Sequence, residues 1–209
     1  MRVLKVLDEP ALLVCGRSKT LIVADVHLGI CYLDRSIVNE LKNLFEKTGA
    51  DELVIAGDFK HSISARSAEV NVFRELEKEI PTTLVRGNHD GGIESVRELV
   101  IGKVGIFHGH LRPGEDLESC RILIAGHAHP AVLIRHGAGG IKERVWLEGE
   151  CEFWEGVKKS TIIMPAFNEL CASTAVNVEK PPGIFKLDDV KNMEATMLDG
   201  TFLGRVCSI

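Results

Sequence analysis

The chain has 209 residues, 45% of them hydrophobic and 26% charged, which is enough apolar side chain for a sizeable core and excludes wholesale disorder. No apolar run reaches the roughly 18 residues that span a bilayer, and Asp8, Glu9 and Pro10 interrupt the N-terminal apolar stretch before it attains signal-peptide length. The sequence therefore predicts a cytoplasmic chain with no membrane partner. A formal charge of −5 argues against nucleic-acid binding by general basicity, although carboxylates that bind cations are counted in it.

Short apolar runs at 3–7, 11–15 and 21–24 read as strands separated by Asp-Glu-Pro and Gly-Arg-Ser-Lys turns. From Ser36, the residues Ile37, Val38, Leu41, Leu44 and Phe45 recur at helical spacing and Gly49 follows, predicting a helix that stops there. A second helix carries Val70, Phe73, Leu76 and Ile80 on one face and ends before Pro81. Strands are expected at 52–56, 82–85, 104–107 and 121–125. Beyond Pro130 the pattern turns mostly β, with strands expected at 131–135, 143–147, 161–164, 183–187 and 193–198 and no helix between them. No repeat, low-complexity segment or linker divides the halves, so a single domain over residues 1–209 is expected.

Seven of the eight histidines (His27, His61, His89, His108, His110, His127 and His129) lie in short polar segments that end apolar strands; only His136 lies elsewhere. Five apolar strands end in polar clusters, LIVADVH, ELVIAGDF, TTLVRGNHD, VGIFHGH and RILIAGHAH, which hold six of these histidines, and His61 follows two residues after the second. Residues just beyond the carboxyl ends of neighbouring α/β strands converge on one crevice, so these clusters can meet although they are far apart in sequence. Asp25 and His27, like His127 and His129, are two positions apart, which in an extended segment puts both side chains on one side. Asp25, Asp58, Asn88, His27, His108, His127 and His129 are too many ligands for one ion. Two adjacent divalent ions sharing the Asp58 carboxylate accommodate them and leave positions open for water and substrate. Nitrogen and oxygen donors without thiolate suit manganese, iron, zinc or nickel. The six cysteines are scattered with no CxxC pair, so neither a disulfide framework nor a thiolate zinc site is expected.

The series Asp25-Val26-His27, Gly57-Asp58, Gly87-Asn88-His89-Asp90, His108 and Gly126-His127-Ala128-His129 resembles the calcineurin-like metallophosphoesterases, whose motifs DxH, GD, GNH(D/E), H and GHxH run in that order. The resemblance implies an α/β fold, a four-layer αββα sandwich with two mixed β-sheets. Gly57-Asp58-Phe59-Lys60-His61 and Met164-Pro165-Ala166-Phe167-Asn168 suggest the compact archaeal branch related to SbcD.

Carried over by position, the resemblance implies one metal on Asp25, His27, Asp58 and His129 and another on Asp58, Asn88, His108 and His127, with manganese the leading ion. His89, paired with Asp90, would act on the leaving oxygen or the transition state, and His61 would contact phosphate. His110 would stand behind the ligands or face substrate. The nucleophile so implied is a metal-bound hydroxide. The activity expected is phosphodiester hydrolysis at a nucleic-acid end or in a cyclic or small nucleotide. Phosphomonoester hydrolysis and a metal-stabilised, non-catalytic interaction module are the alternatives. Only nineteen positions separate His89 from His108, and the chain ends at Ile209, so no capping or separate DNA-binding domain is expected. Arg66, Lys142 and Arg144 read as surface charges, whereas Lys60, Arg86 and Arg112 flank the motifs, where phosphate contact is an alternative to the favoured reading as solvated charges. Trp146, Phe153 and Trp154 read as packing residues. Neither an oligomeric state nor a partner beyond the phosphate-ester substrate follows from the sequence.

Overall fold

The computed structural model describes residues 1–33, 35–137 and 139–209. Its first three strands, β1 (Arg2–Lys5), β2 (Ala11–Cys15) and β3 (Lys19–Val23), form an antiparallel meander. The chain then crosses over twice, through helices α1 (Ser36–Thr48) and α2 (Ala68–Glu79), to lay β4 (Glu52–Ile55) and β5 (Thr82–Leu84) parallel beside β3. The result is a five-stranded sheet in the order β1-β2-β3-β4-β5. Helix α1 buries Val38, Leu41 and Leu44 and ends at Gly49, whose φ of 60° gives the left-handed turn that closes many helices. Helix α2 buries Val70, Val72, Phe73 and Leu76 and stops at Ile80, since the residue before Pro81 is disfavoured in the helical region. Both helices cover the outer face of this sheet, against Leu21, Val23, Leu53 and Ile55.

The second sheet has nine strands: β6 (Leu99–Ile101), β7 (Val104–Phe107), β8 (Ile122–Ala125), β9 (Pro130–His136), β10 (Gly139–Trp154), β11 (Val157–Ile163), β12 (Thr174–Ala175), β13 (Glu194–Met197) and β14 (Phe202–Arg205). Strands β7 and β11 both run parallel to β8. Strand β10 is 16 residues long and serves three partners, β9 along its first part, β13 in the middle and β11 along its end.

The two sheets meet face to face. Leu12, Val14, Ile22 and Val54 of the first pack with Val104, Ile106, Ile124 and Trp146 of the second, all of them buried. Burying a side chain of this kind stabilises the fold by roughly 1.5–3 kcal/mol relative to leaving it exposed. The outer face of the second sheet is covered by the short helix α3 (Leu187–Asn192) and the Phe185 segment, with Val190 and Met193 buried beneath. Layer by layer this is the expected αββα sandwich, with a thin last layer.

Several elements differ from the sequence expectation, among them the short strands β12 and β14, which it lacked. Residues 183–187 form no strand but lead from the turn at Gly183 into α3. Helix α3 has only six residues and buries only Val190, too little for a periodic pattern, although Asp188 and Asp189 in its first turn and Lys191 in its last suit the helix dipole. The strand expected at 143–147 extends in both directions, its ends masked by polar residues on an exposed face. Strand β6 has three residues, none buried, and sits at a sheet edge. Among the described residues no helix is long and apolar enough to cross a membrane.

Candidate metal centre

Strands β3, β4 and β5 of one sheet and β7 and β8 of the other end at one crevice. They deliver Asp25 and His27, Asp58, Asn88, His108, and His127 and His129 respectively. The loops are tied to one another. The Asp25 and His27 N–H groups donate to the carbonyls of Gly57 and Asp58 (3.0 and 2.9 Å), and the Leu28 and His61 N–H groups to those of Phe59 and Leu28 (both 2.8 Å). Bonds also cross between the sheets: His127 N–H donates to Asp25 Oδ2 at 2.9 Å, and His108 Nδ1 to the Ala56 carbonyl at 2.9 Å.

The backbone here is not extended, as the two-residue spacing had suggested. Six described non-glycine residues have positive φ, and five of them are Asp25 (58°), His27 (43°), Asp58 (52°), His127 (67°) and His129 (42°). Such conformations cost about 1–3 kcal/mol each and persist only where surrounding structure holds them, typically at functional sites. The left-handed turns swing alternate side chains inward from tight loops. Gly87 is required for close approach, because a Cβ there would lie 2.1 Å from Asp58 Oδ1.

Each carboxylate offers one oxygen to the crevice and has the other anchored. Asp25 Oδ2 accepts from His127 N–H, and Asp58 Oδ1 accepts from His89 N–H at 2.9 Å. Their free oxygens face imidazoles: Asp58 Oδ2 lies 3.3 Å from His108 Nε2 and 3.6 Å from His27 Nε2, and Asp25 Oδ1 lies 3.2 Å from His129 Nε2. His108 and His129 direct Nδ1 to the carbonyls of Ala56 and Ala172, which leaves each Nε2 turned to the crevice, the arrangement usual for metal-ligating histidines. Asp25 Oδ1, His27 Nε2 and His108 Nε2 are buried yet have no hydrogen-bond partner among the described residues. Orphaned buried polar atoms are costly, and cations held among these side chains would satisfy them. Asp25, His27 and Asp58 offer ligand atoms within 4.8 Å of one another, and so do Asp58, His108 and His127. The donor set fits divalent metal, with Asp58 common to both groups.

Burial works to raise the pKa of both aspartates, but neighbouring imidazoles outweigh it. His129 and His108 hold Asp25 below the ordinary carboxylate range, and His108 does the same for Asp58. Conversely, burial opposes charge on His108, yet Asp58 and Asp25 lift it to about 9. His129 is raised by Asp25 in the same way. Burial pushes His27 and His127 down to about 4, leaving them neutral, as ligands must be. Without metal, a proton on His108 offsets part of the aspartate charge, and a cation would take its place.

Several residues lie elsewhere than expected. Asp90 does not pair with His89: its oxygens accept the N–H groups of Asp58 (2.7 Å), Gly87 (2.8 Å) and Phe59 (2.9 Å), so it braces two ligand loops from behind. The partner of His89 Nδ1 is the His61 carbonyl. His61 is at the crevice, with Nδ1 3.4 Å from His27 Nδ1. Asn88 is exposed beside the buried Gly87. Lys60 is not a solvated charge but fully buried, with Nζ on the carbonyls of Ser62 and Ser64. Arg144 likewise clamps the Ala166 carbonyl at 3.0 Å. The segment it holds supports the first ligand loop, Phe167 N–H donating to the Ala24 carbonyl (2.8 Å) and Asn168 Nδ2 to that of Val26 (3.0 Å). Cys171 carries no motif that would have marked it, yet its buried thiol lies within 4.8 Å of ligand atoms of His27 and His129 and is pushed up to about 12 by burial.

Residues 19–147 match the calcineurin-like phosphoesterase superfamily domain, and the chain belongs to that family, whose members use divalent metals. Among solved structures, the Pseudomonas putida nuclease MPE is similar in fold, with a TM-score of 0.66 at 22% identity over 97% of this chain and 99% of that one. The phosphoesterase Yfce of E. coli gives a TM-score of 0.44 at 17% identity, over 89% and 97% of the two chains. Entamoeba histolytica Vps29 complexed with zinc gives 0.38 at 18%, over 88% and 95%. No curated protein matches the chain.

Proposed function

We propose that the protein is a cytoplasmic, single-domain phosphodiesterase of the SbcD-related branch, working with two divalent cations, manganese foremost. The observation that carries this reading is the set of buried, unpartnered atoms Asp25 Oδ1, His27 Nε2 and His108 Nε2 around an aspartate shared by two ligand groups. Asp25, His27, Asp58 and His129 would hold one cation, and Asp58, Asn88, His108 and His127 the other. Cations so held supply Lewis-acid stabilisation of phosphoryl oxygens and acidify water near the scissile bond. The chain's own work is orientation and proton transfer. His89 has Nδ1 committed to the His61 carbonyl, so exchange of a proton with the leaving oxygen falls to Nε2. The His61 ring is stacked 5.6 Å from that of His89 and would contact a phosphate oxygen. The Lys60 anchor holds the loop that carries it.

The test compares bis(p-nitrophenyl) phosphate with p-nitrophenyl phosphate in manganese, nickel, zinc and magnesium, with metal content measured in parallel and Asp58→Asn as control. The diester should turn over faster, with manganese the best ion, two equivalents bound, and activity lost in Asp58→Asn. A monoester preference would replace the diester reading. Bound metal without turnover of any phosphate ester would leave a non-catalytic binding module.

A further inference from the structure

Beside the cradle a second pocket, of ≈ 340 Å³, is lined by Arg86, Arg97, Glu98, His108, His110 and Arg112. Three guanidinium groups against one carboxylate make it strongly cationic in a chain of net charge −5. The carboxylate is already occupied, since Glu98 Oε2 accepts the Gly114 N–H at 2.7 Å. The arginines form no ion pair with any described residue. Two are held in place by neutral contacts: Arg86 Nε donates to Ser95 Oγ at 3.0 Å and Arg97 Nη2 to the Arg112 carbonyl at 3.4 Å. His110, in the same lining, has Nδ1 buried without a partner among the described residues. The exposed Leu111 adds an apolar rim. Because His108 forms part of both walls, whatever sits in this pocket lies next to whatever sits on the metals.

Unpaired guanidiniums gathered in one concavity are matched to an anion that accepts several hydrogen bonds, and phosphate is the anion the neighbouring cradle already receives. We propose that the Arg86–Arg97–Arg112 pocket seats a second backbone phosphate, the one adjoining the scissile diester in a nucleic-acid strand. Small diesters fill only the cradle; a strand engages both. The inference rests on the phosphoesterase reading for what occupies the cradle. The pocket itself is tested by binding, which needs no turnover.

The experiment measures anisotropy of a short fluorescent single-stranded DNA with the chelator-treated protein and again with manganese. Each of Arg86→Ala, Arg97→Ala and Arg112→Ala should weaken binding about tenfold, the size of one charge-assisted hydrogen bond, and reduce the salt slope by about 0.7. The triple substitution Lys158→Ala, Lys180→Ala and Lys191→Ala controls for general basicity and should weaken binding much less than the arginine triple. A DNA with an uncharged methylphosphonate next to the cleavage position should bind wild type as poorly as ordinary DNA binds the arginine triple. Equal affinity for phosphate and methylphosphonate strands would overturn the proposal, and so would equal losses in the arginine and lysine triples. If wild type binds DNA as expected but cleaves no phosphate ester with any metal, the phosphoesterase reading fails and the pocket stands.

Discussion

Asp90 holds the turn of Asp58 from behind, taking its N–H at 2.7 Å on the same oxygen that takes the Gly87 N–H at 2.8 Å. The carboxylate thus fixes two ligand loops at once, and only burial and the charge of Asp58 push its pKa upward against those bonds. Asp90→Ala should lower metal affinity 10–100-fold, the usual cost of losing a group that orients ligands, and lower the melting temperature. At saturating metal the rate should largely recover. Intact affinity with a collapsed rate would instead place Asp90 in the proton path, as the sequence pattern suggested.

The opposite split is expected for His89, whose ring forms no ion pair with a carboxylate among the described residues. His89→Ala should keep its metal content while kcat on a diester falls roughly 10²–10⁴-fold. Metal analysis alongside kinetics decides it, since loss of metal would make His89 a ligand.

Gly57 has φ of +94°, and a Cβ there would lie 2.2 Å from His108 Nδ1. Gly57→Ala should displace the ring from the Ala56 carbonyl, destabilise the fold by roughly 1–3 kcal/mol or more, and empty the metal group to which His108 belongs. Unchanged metal content would show that the ring has room to spare.

The histidines also predict a pH signature for the chelator-treated protein. His108, raised to about 9, contributes stability that is fully present below about 6.5 and lost as pH rises through 9. His27 and His127, depressed to about 4, contribute stability present above 6.5 and lost as pH falls toward 4. Melting temperature should therefore decline on both sides of about pH 6.5. Because metal must displace the His108 proton, the increment from saturating manganese should grow between pH 6.5 and 9. An increment independent of pH would remove His108 from the ligand set.

Much of this was legible from the chain. Apolar runs ending in Asp, Asn and His marked β3, β4, β5, β7 and β8, and helical periodicity marked α1 and α2, because those elements bury a full face. Helix α3 and strand β6 bury too little to leave a pattern. At the site, the residue types were readable but their backbone was not: spacing of two says nothing of whether Asp25 and His27 are extended or left-handed. Roles decided by long-range contacts were also hidden. Lys60 and Arg144 read as surface charges until the carbonyls they bind were in place, and Asp90 next to His89 in sequence is turned away from it in space.

The crevice takes its residues from both sheets, and the bonds from His127 to Asp25 and from His108 to Ala56 cross the boundary between them. Sliding one sheet past the other by a single residue would pull the ligand cluster apart before it exposed much oil to water. The architecture therefore carries a built-in alignment gauge: mutations deep in the sandwich, far from the crevice, should register first as weakened metal binding and only later as unfolding.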